Sequence, residues 1–193
     1  MERTLVVLKP DALQRGIVGD IITRFEKIGL KIVGMKMLQA DTALAEGHYP
    51  SDRRAFIEGL GNKTLDNYRE QGKDPLAEFG TADPHEIGLR IQKWLVEYIS
   101  SGPVLAMVLE GPHAVELIRK LVGHTLPAKA QPGTIRGDYS FDSSLLANEG
   151  KRPIRNLIHA SGDTTEAEME ITAWFTPHEL FTYKTIHQQQ MLS

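Results

Sequence analysis

The sequence predicts an α+β sandwich, a small sheet with helices laid over it, and three observations carry that expectation. Short β-branched apolar runs have the length and composition of buried strands. Between them, apolar residues recur at the spacing of amphipathic helices. Glycines and prolines stand where one pattern gives way to the other. The 193 residues are 41% hydrophobic and 24% charged, an ordinary globular composition that can build a core. That length fits one domain, or one domain carrying insertions.

Thr4-Leu5-Val6-Val7-Leu8 reads as a buried strand that delivers Lys9 at its end, where Pro10 stops it. Gly16 and Gly19 frame a turn before a helix over residues 20–28, whose Ile21, Ile22, Phe25 and Ile28 share a face and whose end is Gly29. Residues 30–38 read as a second strand, with Gly34 marking a bulge or a close backbone approach. Asp41 or Thr42 caps a short helix to about Tyr49, and Ser51 begins another that carries Arg54 and Phe56.

Residues 61–95 change character. Gly61-Asn62, Gln71-Gly72-Lys73-Asp74-Pro75 and residues 80–84 are turn-rich, with little apolar period between them. Asp83-Pro84-His85-Glu86 then forms a helix start, with a cap, a proline at the first helical position and a glutamate at the third. Ile87, Ile91, Trp94, Leu95 and Tyr98 follow on one face. Residues 104–109 are a third strand, and Pro112 opens a helix with Val115, Leu117, Ile118 and Leu121 inward.

Residues 123–137 form a long irregular loop in which Pro127 and Pro132 fix local geometry, the kind of loop that usually serves function. Residues 142–151 look polar and turn-like. Leu157 and Ile158 are the apolar pair that anchors His159 at the border between scaffold and the polar turn Ala160-Ser161-Gly162-Asp163. Thr165 with Glu168 reads as a capping box for a helix through Trp174; Pro177 starts another helical turn, and the tail from Thr185 is expected at the surface. Short strands separated by helix pairs suit a ferredoxin-like β-α-β-β-α-β order.

Much chemistry is excluded. There is no cysteine, so neither disulfides nor thiolate catalysis are available. No apolar run reaches 18 residues, which leaves no membrane span. Met1-Glu2-Arg3 leads directly into an apolar run shorter than that of a signal peptide, and the cytoplasm is the expected compartment. A net charge of −3 argues against bulk nucleic-acid binding, so an anionic ligand must be held by a local cluster of cations. Neither G-x-x-x-x-G-K-[ST] nor G-x-G-x-x-G occurs, and the protein-kinase motifs H-R-D and D-F-G are absent. The histidines show no H-x-x-x-H spacing that would suggest a metal site.

Phosphate would therefore be gripped by side chains. Lys9 after a strand, Arg119 on a helix and Arg136 on the loop are cations that could converge on a polyphosphate, since arginine forks match phosphate oxygens. Taken singly, each is also an ordinary surface charge. Thr125 and Asn156 offer neutral hydrogen-bonding groups, and Phe56 offers a face on which a base could stack, or else a core aromatic. Glu170 lies one helix beyond His159 and could fix its tautomer, or be an exposed helix charge. At its unperturbed pKa of about 6.5, His159 would be roughly three-quarters neutral at pH 7, enough for a nucleophile.

These residues occur in stretches that resemble the nucleoside diphosphate kinase family. The matches are Glu2-Arg3-Thr4-Leu5 through Lys9-Pro10-Asp11, Gln14-Arg15-Gly16-Ile17-Val18-Gly19, His48-Tyr49 and Ser101-Gly102-Pro103-Val104. They continue with Pro132-Gly133-Thr134-Ile135-Arg136-Gly137-Asp138, Asn156-Leu157-Ile158-His159-Ala160-Ser161 and Glu170-Ile171. The resemblance implies a ferredoxin-like sandwich with a four-stranded antiparallel sheet over one domain, residues 1–193. It implies that His159 accepts the γ-phosphoryl group of a nucleoside triphosphate and passes it to a diphosphate. Lys9, Arg119, Thr125, Arg136 and Asn156 then match nucleotide ligands, Phe56 the base-stacking aromatic, and Tyr49, Ser161 and Glu170 the residues that position the histidine. It further implies Mg2+ carried on the nucleotide phosphates and a homohexamer or homotetramer. Departures from the family pattern are Ala160 in place of glycine, Gly162-Asp163 after the serine, and Pro153 in place of valine. Residues of about 61–95 and 142–151 are insertions relative to the common form.

Overall fold

The computed structural model describes residues 1–191. In chain order its elements are β1 (Glu2–Leu8), α1 (Pro10–Gln14), α2 (Val18–Lys27), β2 (Lys31–Leu38), α3 (Thr42–His48), α4 (Arg54–Glu70), α5 (Pro75–Phe79) and α6 (Pro84–Ser100). β3 (Val104–Gly111), α7 (Ala114–Val122), α8 (Ile135–Tyr139), α9 (Ser144–Glu149), β4 (Ile158–Ala160), α10 (Thr164–Trp174) and α11 (Ile186–Met191) complete it. The chain divides into two compact units, residues 1–39, 103–141 and 156–193 forming the first, residues 40–102 and 142–155 the second.

The first unit holds the sheet, in the order β2-β3-β1-β4 with every neighbour antiparallel. This is the ferredoxin-like arrangement that the alternation of strands and helices predicts. β1 and β3 are central and buried along almost their whole length, which is why their sequences are continuous apolar runs rather than alternating ones. Val6, Leu8, Met107 and Leu109 meet Ile21 and Phe25 of α2, Ala114 and Ile118 of α7, and Leu157 and Ile158 beside and within β4. The register of β2 against β3 slips between Ile32 and Gly34, the expected bulge. Gly34 also admits a close approach: a Cβ there would lie 2.8 Å from Leu180 and 3.0 Å from the Glu179 carbonyl oxygen. The chain after α10 pairs here, Phe181 N–H donating to the Val33 carbonyl at 2.7 Å. The expected surface tail is exposed through α11; residues 192–193 lie outside the described residues.

The second unit is helical, and here local reading fell short. The turn expected at Gly61-Asn62 is the interior of α4, a helix that runs unbroken to Glu70. Gly61 and Gly88 serve a helix crossing instead. A Cβ on Gly61 would sit 1.8 Å from the Pro84 carbonyl oxygen, and one on Gly88 2.0 Å from that of Ile57, so α4 and α6 touch backbone to backbone. Asp83 caps α6 as expected, accepting from the N–H groups of His85 and Glu86. Residues 142–151, expected to be turn-like, contain α9, capped by Ser143. Leu65, Tyr68, Phe79 and Ile87 form this unit's core. Both expected insertions fall in the second unit. Among the described residues no helix is long and apolar enough to cross a membrane.

Candidate active site

The site of the first unit is built where β1 ends and β4 begins. β4 pairs antiparallel with β1, which sets Val7 opposite His159. His159 is thus held in a strand rather than a loop. Two residues later the Ser161 N–H donates to the Leu5 carbonyl, and its hydroxyl accepts from the Leu5 N–H at 3.2 Å. The same hydroxyl donates to Glu170 Oε2 at 2.6 Å, while Glu170 Oε1 lies 2.7 Å from His159 Nε2. Glu170 sits on α10, whose cap is Asp163, not the expected Thr165: the Asp163 carboxylate accepts from the Glu166 N–H at 2.8 Å. A serine, a glutamate and a histidine therefore form one chain anchored on β1.

The cations come from other elements. Lys9 follows β1 directly, is 5% exposed and donates from Nζ to Asn156 Oδ1 at 2.8 Å. Burial lowers its pKa to about 7, the nearby Arg136 adds to the fall, and Asp11 opposes it. Asn156 in turn donates from Nδ2 to the Thr125 carbonyl at 3.0 Å. Arg136, on α8, is 8% exposed with three donors on carbonyls: Nε to Asn156, Nη1 to Gly123 and Nη2 to Ile158, at 3.1, 3.0 and 2.6 Å. Arg119 is exposed on α7, and a Cβ on Gly162 would lie 3.8 Å from its Nη1, so its guanidinium stands beside the turn after His159.

These surroundings act on the imidazole. Burial first, then the positive charge of Lys9, with Arg136 and Arg119 behind it, pushes the His159 pKa down to about 3 against the opposing field of Glu166. The ring is fully neutral at pH 7, a stronger statement than its unperturbed pKa allows. A neutral imidazole carries a nitrogen lone pair, and the cations that suppress its proton would also attract an anionic electrophile.

Of the residues expected here, Lys9, Arg119, Thr125, Arg136, Asn156, Ser161 and Glu170 all belong to the first unit with His159. Arg136 is more committed to the backbone than a simple phosphate ligand would be, and Thr125 meets Asn156 through its carbonyl. Tyr49 and Phe56 belong to the second unit. There Tyr49 is 7% exposed, packs edge-on against the His48 ring at 4.6 Å and accepts from Gln92 Nε2 through its carbonyl. Phe56 is half-buried in the first turn of α4. Sequence reasoning gave no part to Asp11, a buried carboxylate whose Oδ2 accepts from the Leu157 N–H at 3.1 Å. The only available signal was its place directly after Lys9-Pro10 in a stretch already singled out.

Comparison with known proteins converges on one family. The family model described as nucleoside diphosphate kinase matches residues 2–62 and 88–180. The chain is similar to a nucleoside diphosphate kinase of Pyrobaculum aerophilum, 53% identical over 180 residues, covering 93% of this chain and 98% of the relative. The crystal structure of an NDP kinase from that organism superposes with a TM-score of 0.91 at 51% identity, over 94% of this chain and 99% of the other. A transition-state mimic of the Borrelia burgdorferi nucleoside-diphosphate kinase, with bound vanadate and ADP, gives a TM-score of 0.77 at 36% identity, over 98% and 95%. With most of its length matched by the family model and this identity to a relative of nearly equal length, the chain belongs to the nucleoside diphosphate kinase family, a family of phosphotransferases.

Proposed function

We propose that this chain moves the γ-phosphoryl group of a nucleoside triphosphate to a nucleoside diphosphate by a ping-pong route through a phosphohistidine on His159. The observation that carries the proposal is the neutral, half-buried imidazole set among Lys9, Arg119 and Arg136 and backed by Glu170. Nε2 stands against the Glu170 carboxylate, and the attack on phosphorus is assigned to Nδ1. As the N–P bond forms and the bond to the leaving diphosphate breaks, positive charge grows on the ring and Glu170, held by Ser161, stabilises it. The reverse step, with a different diphosphate, regenerates the free ring.

Lys9, Arg119 and Arg136 stabilise charge on the transferring and leaving oxygens, Arg136 chiefly through its field because its donors serve carbonyls. Asn156 and Thr125 hydrogen-bond to phosphate or ribose, Phe56 stacks on the base, and Tyr49 helps position the histidine. Stacking alone discriminates weakly between bases, so several nucleotides are substrates. Of the first-unit carboxylates at the site, Glu170 meets Ser161 and His159, Glu166 accepts from the Gly162 N–H and Asp11 accepts from the Leu157 N–H through Oδ2 alone, and this donor set fits a divalent ion brought on the phosphates rather than held by a protein cage. Bound there, Mg2+ supplies Lewis-acid stabilisation of the phosphate oxygens. The binding of ADP and vanadate by the Borrelia burgdorferi relative supports the same use of this site. The reading also takes residues 1–193 as one kinase domain bearing its insertions, a cytoplasmic location, and a homohexamer or homotetramer that a light-scattering mass distinguishes.

The test is covalent labelling. Protein incubated with γ-labelled ATP and magnesium, then freed of nucleotide, should carry acid-labile, base-stable label that GDP discharges as GTP. Label that persists in His159→Ala refutes the assignment.

A further inference from the structure

Leu157, two residues before His159, has φ of +68°, a conformation that side chains other than those of glycine, asparagine and aspartate seldom adopt. The Ile158 N–H donates to the Asn156 carbonyl at 2.8 Å, so Leu157 is the centre of a three-residue γ-turn of the rarer, positive-φ kind. Glycine would relieve the backbone, but the leucine side chain is 1% exposed and belongs to the core. The strain is therefore kept, and something must hold it.

The holding groups surround the turn. The Leu157 N–H donates to Asp11 Oδ2 at 3.1 Å, and its carbonyl accepts from the Lys9 N–H at 2.8 Å. The carbonyls on either side, of Asn156 and Ile158, both accept from Arg136. Asn156, on the near side of the turn, carries the side chain that meets Lys9 Nζ, and His159 begins just beyond its far side. The angle of this turn sets the spacing between the amide that orients Lys9 and the imidazole. Lys9 and Arg136 already have work at the site, whereas Asp11 is 8% exposed and its Oδ1 is buried without a hydrogen-bond partner among the described residues. Besides its charge, which supports the Lys9 ammonium, this buried carboxylate has one hydrogen bond, and burying it is costly unless that contact matters.

We propose that Asp11 is a positioning residue for phosphoryl transfer, acting through the left-handed Leu157 turn to fix His159 relative to Lys9 and Asn156. This deepens the phosphohistidine reading and rests on it. The contact is one of reach, from the second residue of α1 to one N–H, so acceptor position matters more than charge. A misplacement on the order of 1 Å costs about a hundredfold in rate.

The experiment compares Asp11→Asn, which keeps the reach and an acceptor oxygen but loses the charge, with Asp11→Glu, which keeps the charge and alters the reach, and with Asp11→Ala. Single-turnover labelling of His159 from saturating γ-labelled ATP gives the rate, and ADP titration gives the Kd. Ring 1H–15N spectra of unliganded protein report the tautomer and setting of His159 independently of activity. The expected result is that Asp11→Asn stays within about tenfold of the parent, while Asp11→Glu and Asp11→Ala lose about a hundredfold in rate with Kd changed less than about threefold and shifted His159 ring signals. Should Asp11→Ala fail to fold, the Asn and Glu pair still decides. Asp11→Glu as active as Asp11→Asn, Asp11→Asn as impaired as Asp11→Glu, or His159 ring signals unmoved in Asp11→Glu would each overturn the proposal. Failure of the parent itself to take label would instead sink the phosphohistidine reading, leaving the ring spectra to judge the turn.

Discussion

The two units handle polar groups differently. In the first, charged and amide side chains are buried together: Lys9, Asp11, Arg136, Asn156 and Glu170 are each less than a tenth exposed and joined by hydrogen bonds to backbone, to one another or, for Glu170, to the Ser161 hydroxyl. In the second, Arg54–Glu58, Arg69–Asp66, Lys73–Glu149 and Lys151–Glu78 pair at the surface and the core cluster is Leu65, Tyr68, Phe79 and Ile87, while the buried Asp142 is held by Arg152 and the buried Gln92 by the Tyr49 carbonyl. Buried ionic groups must recover a large desolvation cost through geometry, whereas surface pairs contribute little and can be rearranged freely. The difference teaches where function constrains this chain. One unit gives up stability to hold cations around an imidazole; the other is held by close helix packing.

That contrast can be broken most directly at His159. His159→Ala should abolish phosphoenzyme and turnover while leaving the melting temperature equal to or above that of the parent, because a half-buried ring held neutral against cations is removed. A fall in melting temperature with retained label would invert the comparison. Next in size is Arg136→Met, which strands three carbonyls and removes a cation. It should lower the single-turnover rate by a hundredfold to a thousandfold and stability by about 3 kcal/mol in urea unfolding. A variant altered in rate alone would mean that the backbone contacts are dispensable.

The helical unit should answer differently. Gly88→Ala forces a methyl into the Ile57 carbonyl and should cost about 1–3 kcal/mol, yet the labelling rate per folded molecule should change less than about twofold. A matching loss of rate would show the units to be energetically one. The pH response sharpens the point. On the proposed assignment Lys9 binds phosphate as the ammonium, and in the free protein it loses its proton above about pH 7. ADP affinity should thus weaken by up to about tenfold per pH unit above 7, with proton uptake on binding visible as a buffer-dependent heat in calorimetry. For stability the sign is fixed by the same shifts. Unfolded His159 takes its proton near 6.5 and the folded ring near 3, so its contribution is present above 6.5 and is lost as pH falls through that window. Smallest of all, Arg69→Ala at the exposed pair with Asp66 should change stability by no more than about 0.5 kcal/mol.

Much of this was legible beforehand because it is local. The apolar runs of β1 and β3, the caps at Asp41 and Asp83 and the bulge at Gly34 each follow from a few neighbouring residues. Gly61 misled for the opposite reason. A glycine reads as a turn until the partner backbone at Pro84 is known, and that partner lies far along the chain. The cap of α10 was misjudged by two residues because Thr165 with Glu168 competes with an equally good Asp163 and Glu166. Among the candidate site residues, the place of Lys9 at the end of β1 and of His159 at the edge of the scaffold could be read from the neighbouring residues. The commitment of Arg136 to carbonyls could not, since carbonyls leave no trace in a sequence.

The amino-acid sequence by itself determined the alternation of strands and helices, the absence of thiol chemistry and of long apolar spans, and, through its matching stretches, a family resemblance centred on one histidine. Only the tertiary structure decided that this histidine is neutral, that Lys9 titrates near neutrality, and that a leucine is held left-handed by an aspartate 146 residues away. Proton affinity and backbone strain depend on burial and on groups brought together from distant parts of the chain, and those arise only once it has folded.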